Sequence, residues 1–255
     1  MKNISIKFES QFIKKEKLSK DVYSFYFDRV RVERGSGKRS YAEDFDFIFG
    51  QYVRLTLQID SPDERGTSRY FTISSSPTDL SYFTITTRII KSSFKMRLNS
   101  LKPGEIVTAF GPIGYFNFDI NNKKPKIFLA GGIGITPYHS ILRYIDNKAL
   151  KLSASVTLIV SFSTREEVIF FEELKEIENR NSNIRVVCTL TNDNNMYPKF
   201  KKGRIDISLI KKYTQDKDSE FFIVGSGAFE TNMIELLNSL EVPEVNIFME
   251  NFPGY

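Results

Sequence analysis

The stretch Arg69-Tyr70-Phe71-Thr72 sets a cation, two aromatic rings and a hydroxyl at four consecutive positions of mostly strand-favouring residue types. Side chains alternate along a strand, so Arg69 and Phe71 share one side while Tyr70 and Thr72 share the other. A bent strand end can present both sets to one ligand. The combination suits a flavin, which needs a cation for phosphate, an aromatic face for the isoalloxazine ring and a hydrogen-bonding hydroxyl near N5. A second cluster is "AGGIGITP" at 130–137. Gly131, Gly132 and Gly134 lack Cβ atoms, so the backbone can turn sharply beneath a close ligand. Thr136 and Pro137 then open a helix whose free N–H groups attract an anion. Following the first strand of a strand-helix series, this turn points to nucleotide binding.

Two further segments fit a dinucleotide. "SFSTREE" (161–167) offers Ser163, Thr164 and Arg165 where a ribose or a 2′-phosphate would lie, with Arg165 either a phosphate contact or a surface residue at a helix entry. "VGSGAFE" (224–230) carries Gly225 and Gly227, which allow close approach. The chain has one cysteine, Cys188, and one histidine, His139. It therefore cannot form an internal disulfide, a cysteine-ligated cluster or a multi-histidine metal site, and most Ser-His-Asp arrangements are excluded. Chemistry is expected from a bound cofactor, with no metal. His139 in "TPYHSIL" reads as a packing or surface residue, and Cys188 in an apolar strand reads as core.

These residues need elements to hold them. Up to about residue 120, "DVYSFYFDRV", "QYVRLTLQI" and "YFTITTRII" read as strands, which implies an antiparallel β-barrel or sandwich. The polar stretch 31–46 reads as a loop or hairpin tip, and "SFKMRLNSL" (93–101) as a short helix capped by Ser92 or Ser93 and closed before Pro103-Gly104. After "NNKKPK" the grammar changes to alternating strands and amphipathic helices, starting with "KIFLAGG" and "TPYHSILRYI" and closing with "VNIFME". That alternation implies a doubly wound parallel α/β sheet, which binds ligands beyond the carboxyl ends of its strands. The expected domains are 1–121 and 122–255. With 41% hydrophobic and 26% charged residues and no long apolar run, no membrane span is expected; the absence of an apolar N-terminal leader suggests the cytoplasm. Net charge is +5, with basic clusters at 14–20, 122–126 and 199–204. They read as solvated surface or as a docking face for an acidic protein, with no nucleic-acid motif beside them.

With these motifs in hand, the chain resembles the ferredoxin–NADP reductase superfamily over nearly its whole length. "RYFT" resembles that family's Arg-x-Tyr-Ser/Thr flavin strand, with Phe71 in place of tyrosine. "FGQY" resembles Pro-Gly-Gln-Tyr, with Phe49 in place of proline, and "GGIGITP" matches the nicotinamide-nucleotide turn. "FFIVGSGAF" corresponds to a segment usually written Cys-Gly-Pro, with Val224 and Ser226 in place of the cysteine and the proline. The resemblance implies an N-terminal FAD-binding barrel and a C-terminal NAD(P)-binding α/β domain. It implies that Arg69 pairs with a flavin phosphate, that Tyr70 and Phe71 line the flavin, and that Thr72 bonds near N5. Arg88, Ser92 and Ser93 would meet the pyrophosphate. Gly131, Gly132, Gly134, Thr136, Pro137, Arg165 and Gly225 would hold NADPH or NADH. Glu250, at the end of the last strand, is a catalytic candidate beside Thr72. Phe252 and Tyr255 either cover the flavin or simply pack. The implied activity passes electrons from NADPH or NADH through tightly held FAD to a separate acidic carrier such as ferredoxin or flavodoxin. Reduction of free flavin, or service as an electron-transfer subunit of a larger complex, are the alternatives.

Overall fold

A computed structural model describes residues 5–29, 31–32, 39–40, 45–115, 119–193, 195–214 and 218–249. Two compact units form, one from residues up to 116 together with 139–144, the other from 117–138 together with 145–251.

The first unit is built on strands β1 (Ile6–Lys17), β2 (Val22–Asp28), β5 (Tyr52–Thr56), β6 (Ser68–Thr72), β7 (Tyr82–Arg88) and β8 (Ile106–Ile113), hydrogen-bonded in the order β6-β5-β8-β1-β2-β7. All pairings are antiparallel. Ile73, just past β6, bridges Ile85 in β7, so the two ends of the sheet meet and the sheet is nearly a closed barrel. Between β2 and β5, β3 (Arg31–Val32) pairs with β4 (Arg39–Ser40), which makes part of the polar stretch a hairpin. The alternation read in the sequence fills the interior: Phe8, Phe12, Phe25, Phe27, Phe83 and their neighbours are buried together. Phe27 stacks on Phe83 at 5.4 Å between ring centroids.

Helix α1 (Ser93–Ser100) starts where the sequence placed it. Ser92 is the N-cap, its hydroxyl accepting from the Lys95 N–H at 3.2 Å, and Phe94 and Leu98, four residues apart, drop into the barrel core. The hydroxyl run after β6 serves the seam. Ser74 Oγ lies 2.9 Å from Thr84 Oγ1 and 2.8 Å from Thr86 Oγ1, while the Thr84 N–H donates to Ser75 Oγ at 3.0 Å. These buried hydroxyls satisfy one another where the sheet closes. In the same unit, His139 is buried with Nδ1 2.7 Å from the Ser74 carbonyl oxygen, and the Ser140 hydroxyl donates to the Ser75 carbonyl at 2.6 Å. His139 therefore has a packing role.

The second unit is a six-stranded parallel sheet in the order β12-β11-β10-β9-β13-β14. Its strands are β9 (Lys126–Gly131), β10 (Val156–Phe162), β11 (Ile184–Leu190), β12 (Lys201–Lys202), β13 (Glu220–Val224) and β14 (Ile247–Met249). The helices are α3 (Phe171–Arg180), α4 (Ile207–Tyr213) and α5 (Gly227–Ser239), with the two ends of α2 (Thr136–Asn147), whose residues 139–144 group with the first unit. β9, first in the chain, lies centrally between β10 and β13, so the winding direction reverses at its carboxyl end, where such sheets bind ligands. The second basic cluster is partly structural. Lys126 is 2% exposed and donates to the Asn122 and Lys124 carbonyls at 3.0 and 2.7 Å, and it lies 3.6 Å from Glu220. Among the described residues, no helix is long and apolar enough to cross a membrane.

Candidate functional site

Strand β6, which holds Arg69–Thr72, pairs with β5, Val53 opposite Phe71 and Leu55 opposite Arg69, which places Arg69 and Phe71 on the face of Val53 and Leu55. Tyr70 lies on the other face and meets Tyr52 edge-on at 5.8 Å, and Thr72 is buried opposite Tyr52. The alternation expected for these four residues is the one observed.

Arg69 is 7% exposed and engaged within the protein. Nη1 donates to the carbonyls of Arg65, Gly66 and Ser68 at 2.6, 3.0 and 2.8 Å, and Nη2 donates to Asp63 Oδ1 at 2.9 Å. Its guanidinium lies over the Phe94 ring, 5.3 Å from the centroid. The Asp63 carboxylate also reaches the start of α1: Oδ2 accepts from the Ser93 N–H at 3.0 Å, and Ser93 Oγ accepts from the Asp63 N–H at 2.8 Å. Desolvation pushes the Asp63 carboxyl up, but the bonds from Ser93, Arg69 and the Arg65 N–H outweigh it and bring the group below the usual carboxylate range. A carboxylate thus sits where the sequence placed a phosphate, against Ser93 and Arg69. Arg88 pairs with Asp21 at 3.2 Å, and Ser92 caps α1.

Lys95 adds a cation to this corner. Its Nζ lies 4.6 Å from the centroid of the Phe71 ring and donates to Thr87 Oγ1. Burial, then the charges of Arg65 and Arg69, push its ammonium down to about 7. A cationic, aromatic corner at a helix start fits the diphosphate and ring of a flavin nucleotide by its donor set.

In the second unit, Gly132–Ile135 form a 3₁₀ turn that runs from β9 into α2. Gly132 has φ +55, with open space around the position of a Cβ. That left-handed conformation needs glycine, and the open space is where a ligand can approach the backbone. At Gly134 a Cβ would lie 2.3 Å from the Val224 carbonyl oxygen, so this glycine lets the turn pack on β13. Gly131 and Gly225 both make room for the Phe229 ring, which a Cβ at either position would strike at 2.8 or 2.4 Å. Thr136 is buried and its hydroxyl donates to the Ile133 carbonyl at 3.1 Å; Pro137 follows it in the first turn of α2. After β10, the Arg165 guanidinium lies 5.1 Å from the centroid of the Tyr197 ring, and its backbone N–H donates to Asp193 Oδ2 at 3.1 Å. Ser163 Oγ accepts from Asn192 at 3.0 Å. Glu250, Phe252 and Tyr255 lie outside the described residues.

A groove of about 480 Å³ runs against β11 and α3, with Glu178, Arg185, Cys188 and Lys199 in its lining, and contains none of the expected cofactor residues. Cys188 in that lining is 1% exposed, and burial pushes its thiol up to about 12, so it stays unreactive. Sequence reasoning missed Asp63, Lys95 and Phe229. Asp63 and Ser93 are 30 positions apart, and no local spacing announces their pairing.

Residues 9–118 match the oxidoreductase FAD-binding domain family and residues 128–235 the oxidoreductase NAD-binding domain family. The chain belongs to the ferredoxin–NADP reductase superfamily of FAD- and NAD(P)-binding oxidoreductases. It is 27% identical to ferredoxin–NADP reductase B of Sorangium cellulosum, a match that covers 96% of this chain and 97% of that one. A flavohemoprotein of Oceanobacillus iheyensis is 24% identical over 94% of this chain, which spans only 57% of that protein. A ferredoxin NADP+ reductase from Neisseria gonorrhoeae, solved with bound FAD and NADP, superposes with a TM-score of 0.74 at 19% identity over 96% of this chain and 98% of that one.

Proposed function

We propose that this protein is an NAD(P)H-dependent flavoprotein reductase that holds FAD and passes electrons to a separate carrier protein such as ferredoxin or flavodoxin. The observation that carries the reading is end-to-end similarity to a ferredoxin–NADP reductase, with no large part of either chain left over. A bound flavin would supply the redox chemistry, taking hydride from the nicotinamide and delivering electrons to the acceptor. The chain's own residues bind and orient. Phe71, whose ring already carries the Lys95 ammonium on one face, would pack at the edge of the isoalloxazine, and Thr72 would give a hydroxyl for N5. The turn 131–135 and the start of α2 hold the pyridine nucleotide by backbone approach and N–H groups. Catalysis is mainly positioning, because hydride transfer needs the reacting atoms within about 3.5 Å of each other.

The test is purification followed by turnover. Yellow protein with stoichiometric FAD, oxidising NADPH faster with ferredoxin or flavodoxin than with free flavin, supports the reading. Colourless protein that turns over only with added flavin identifies a flavin reductase. The flavohemoprotein match, in which similar sequence makes up little more than half of a longer chain, favours the subunit reading as the second choice. In that case a partner co-purifies, and turnover alone is slow.

Arg165 supports a preference for NADPH, since its guanidinium rests on Tyr197 beside the carboxyl end of β10 with no carboxylate paired to it among the described residues. Loss of one charge-assisted phosphate contact costs about 1.5 kcal/mol, or roughly tenfold in affinity. Arg165→Ala is expected to raise the KM for NADPH about tenfold and to leave NADH unchanged in steady-state kinetics. Equal changes for both nucleotides would remove Arg165 from the site.

A further inference from the structure

Strand β11 pairs with β10 along its whole length, Ile184 to Leu190, but meets β12 only at Thr189 and Leu190. On the β12 side, residues 184–188 have no strand neighbour among the described residues. Main-chain groups alternate sides along a strand, and on this edge they belong to the even-numbered residues. The Gly203 N–H donates to the Leu190 carbonyl at 2.8 Å, and the Ile184 N–H donates to the Asn181 carbonyl at 2.9 Å. Between them, the Val186 N–H donates to Glu178 Oε2 of α3 at 3.3 Å. A side chain thus takes the place of a strand. Glu178 is 9% exposed, a burial that a carboxylate tolerates only when well bonded. Arg185 Nη1 donates to Oε1 at 2.8 Å, and Lys175 Nζ donates to Oε2. Three donors therefore hold one carboxylate against the edge of the sheet. The groove of about 480 Å³ runs beside it, and its charged lining nearly cancels, with Lys175, Arg185, Lys199 and Lys201 against Glu172, Glu176 and Glu178. A mixed lining of this kind complements a copy of itself better than a partner of one strong charge.

From this geometry we infer that β11 carries a strand-pairing surface for a second copy of this chain, and that Glu178 is an autoinhibitory contact that keeps the surface closed. An unpaired edge is a template for another strand, and an inward-pointing charge is one way in which such edges are blocked. The pairing is isologous. Two copies related by a two-fold axis at Val186 run antiparallel, so Ile184 of each lies opposite Cys188 of the other and the two Val186 residues exchange N–H to carbonyl bonds. Glu178 opposes this twice. Its oxygen already holds the Val186 N–H, and the two-fold axis brings the carboxylates of both copies towards each other. Removing the carboxylate leaves a buried N–H without its acceptor, which favours a strand neighbour. Lys175 and Arg185, whose side chains are 34% and 60% exposed, then turn to water, and the fold is kept.

The experiment is sedimentation equilibrium of the full chain over a range of about 1–200 µM, since self-association follows mass action. Glu178→Ala is expected to form a dimer roughly tenfold or more tighter than any formed by the wild type, the effect of leaving one buried N–H without an acceptor. Adding Val186→Pro to Glu178→Ala returns the wild-type result, because proline has no N–H to offer and is tolerated on a strand edge. Hydrogen exchange gives a second readout: amides of residues 184–188 in Glu178→Ala gain protection as the concentration rises. Arg185→Met loosens the carboxylate and leaves α3 untouched, so it shifts association in the same direction by a smaller factor, and it decides the question if Glu178→Ala does not fold. Association of the folded variant no stronger than that of the wild type overturns the inference. So does association that survives Val186→Pro, or that protects amides elsewhere and not at 184–188, because it does not pass through the β11 edge.

Discussion

Gly134→Ala is expected to abolish reduction by pyridine nucleotide and to lower the stability of the protein by about 3 kcal/mol, the upper end of the usual cost of overpacking. The cause is backbone meeting backbone. An added Cβ would lie 2.3 Å from the Val224 carbonyl oxygen, 2.7 Å from its carbon and 3.1 Å from the Gly225 nitrogen. No rotamer change relieves such a contact, because Val224 is paired with Ala130 at the end of β13. Either the 3₁₀ turn lifts from the sheet or β13 shifts, and both move the segment that positions the nucleotide. A displacement of about 1 Å is enough to cost roughly 100-fold in rate. Gly132→Ala is the matched control for stability alone, since its Cβ would project into the space left for the nucleotide. There the Cβ meets nothing within 4 Å and the cost is the left-handed φ of +55, about 1 kcal/mol. Calorimetry and stopped-flow reduction by NADPH check both variants. The thermal midpoint of Gly134→Ala should fall by about 10 °C, with bleaching by dithionite preserved. Wild-type stability and reduction rate in Gly134→Ala would show that the turn does not depend on contact with β13.

What the sequence made legible follows from how local each signal is. The parallel sheet was readable because its strands are short apolar runs separated by amphipathic helices, and α1 because Ser92 and Pro103-Gly104 bracket it. The first strand was not readable. β1 runs to Lys17 through Lys14, Lys15 and Glu16, whose exposed side chains look like a charged surface cluster, yet the backbone there pairs with β2. β12, two exposed lysines at the edge of the sheet, carries no periodicity at all. The strand carrying Arg69–Thr72 was legible in its alternation and ambiguous in its hydroxyls: Ser74 and Ser75 bond Thr84 and Thr86 across the seam, a contact the run "SSS" does not announce. The glycines were legible as a set but not in their separate reasons. Gly132 answers to backbone conformation, Gly134 to the β13 backbone, and Gly131 and Gly225 to one ring, Phe229, which a reading by motif passes over.

Arg69→Ala is expected to weaken FAD binding by one to two orders of magnitude and also to destabilise the flavin-free protein. The sequence alone supports only the first effect, since a cation opening a flavin strand reads as a phosphate ligand. The geometry adds the second. One Arg69 guanidinium nitrogen gathers the carbonyls of Arg65, Gly66 and Ser68, and the other holds Asp63, whose carboxylate reaches the first N–H of α1. Each carbonyl bond from a charged donor is worth about 1.5–3 kcal/mol, so even after the loop relaxes the loss is on the order of 3 kcal/mol. Arg69→Lys separates the two roles. An ammonium restores the positive charge near the phosphates but cannot reproduce a planar fork that serves three carbonyls and a carboxylate together. Arg69→Lys should therefore regain much of the FAD affinity while keeping most of the stability defect. The checks are thermal unfolding of the flavin-free proteins and FAD titration below their midpoints. A wild-type midpoint for flavin-free Arg69→Ala would show that the brace between residues 63 and 69 contributes nothing to the fold. Unchanged FAD affinity in both variants would remove Arg69 from the flavin site.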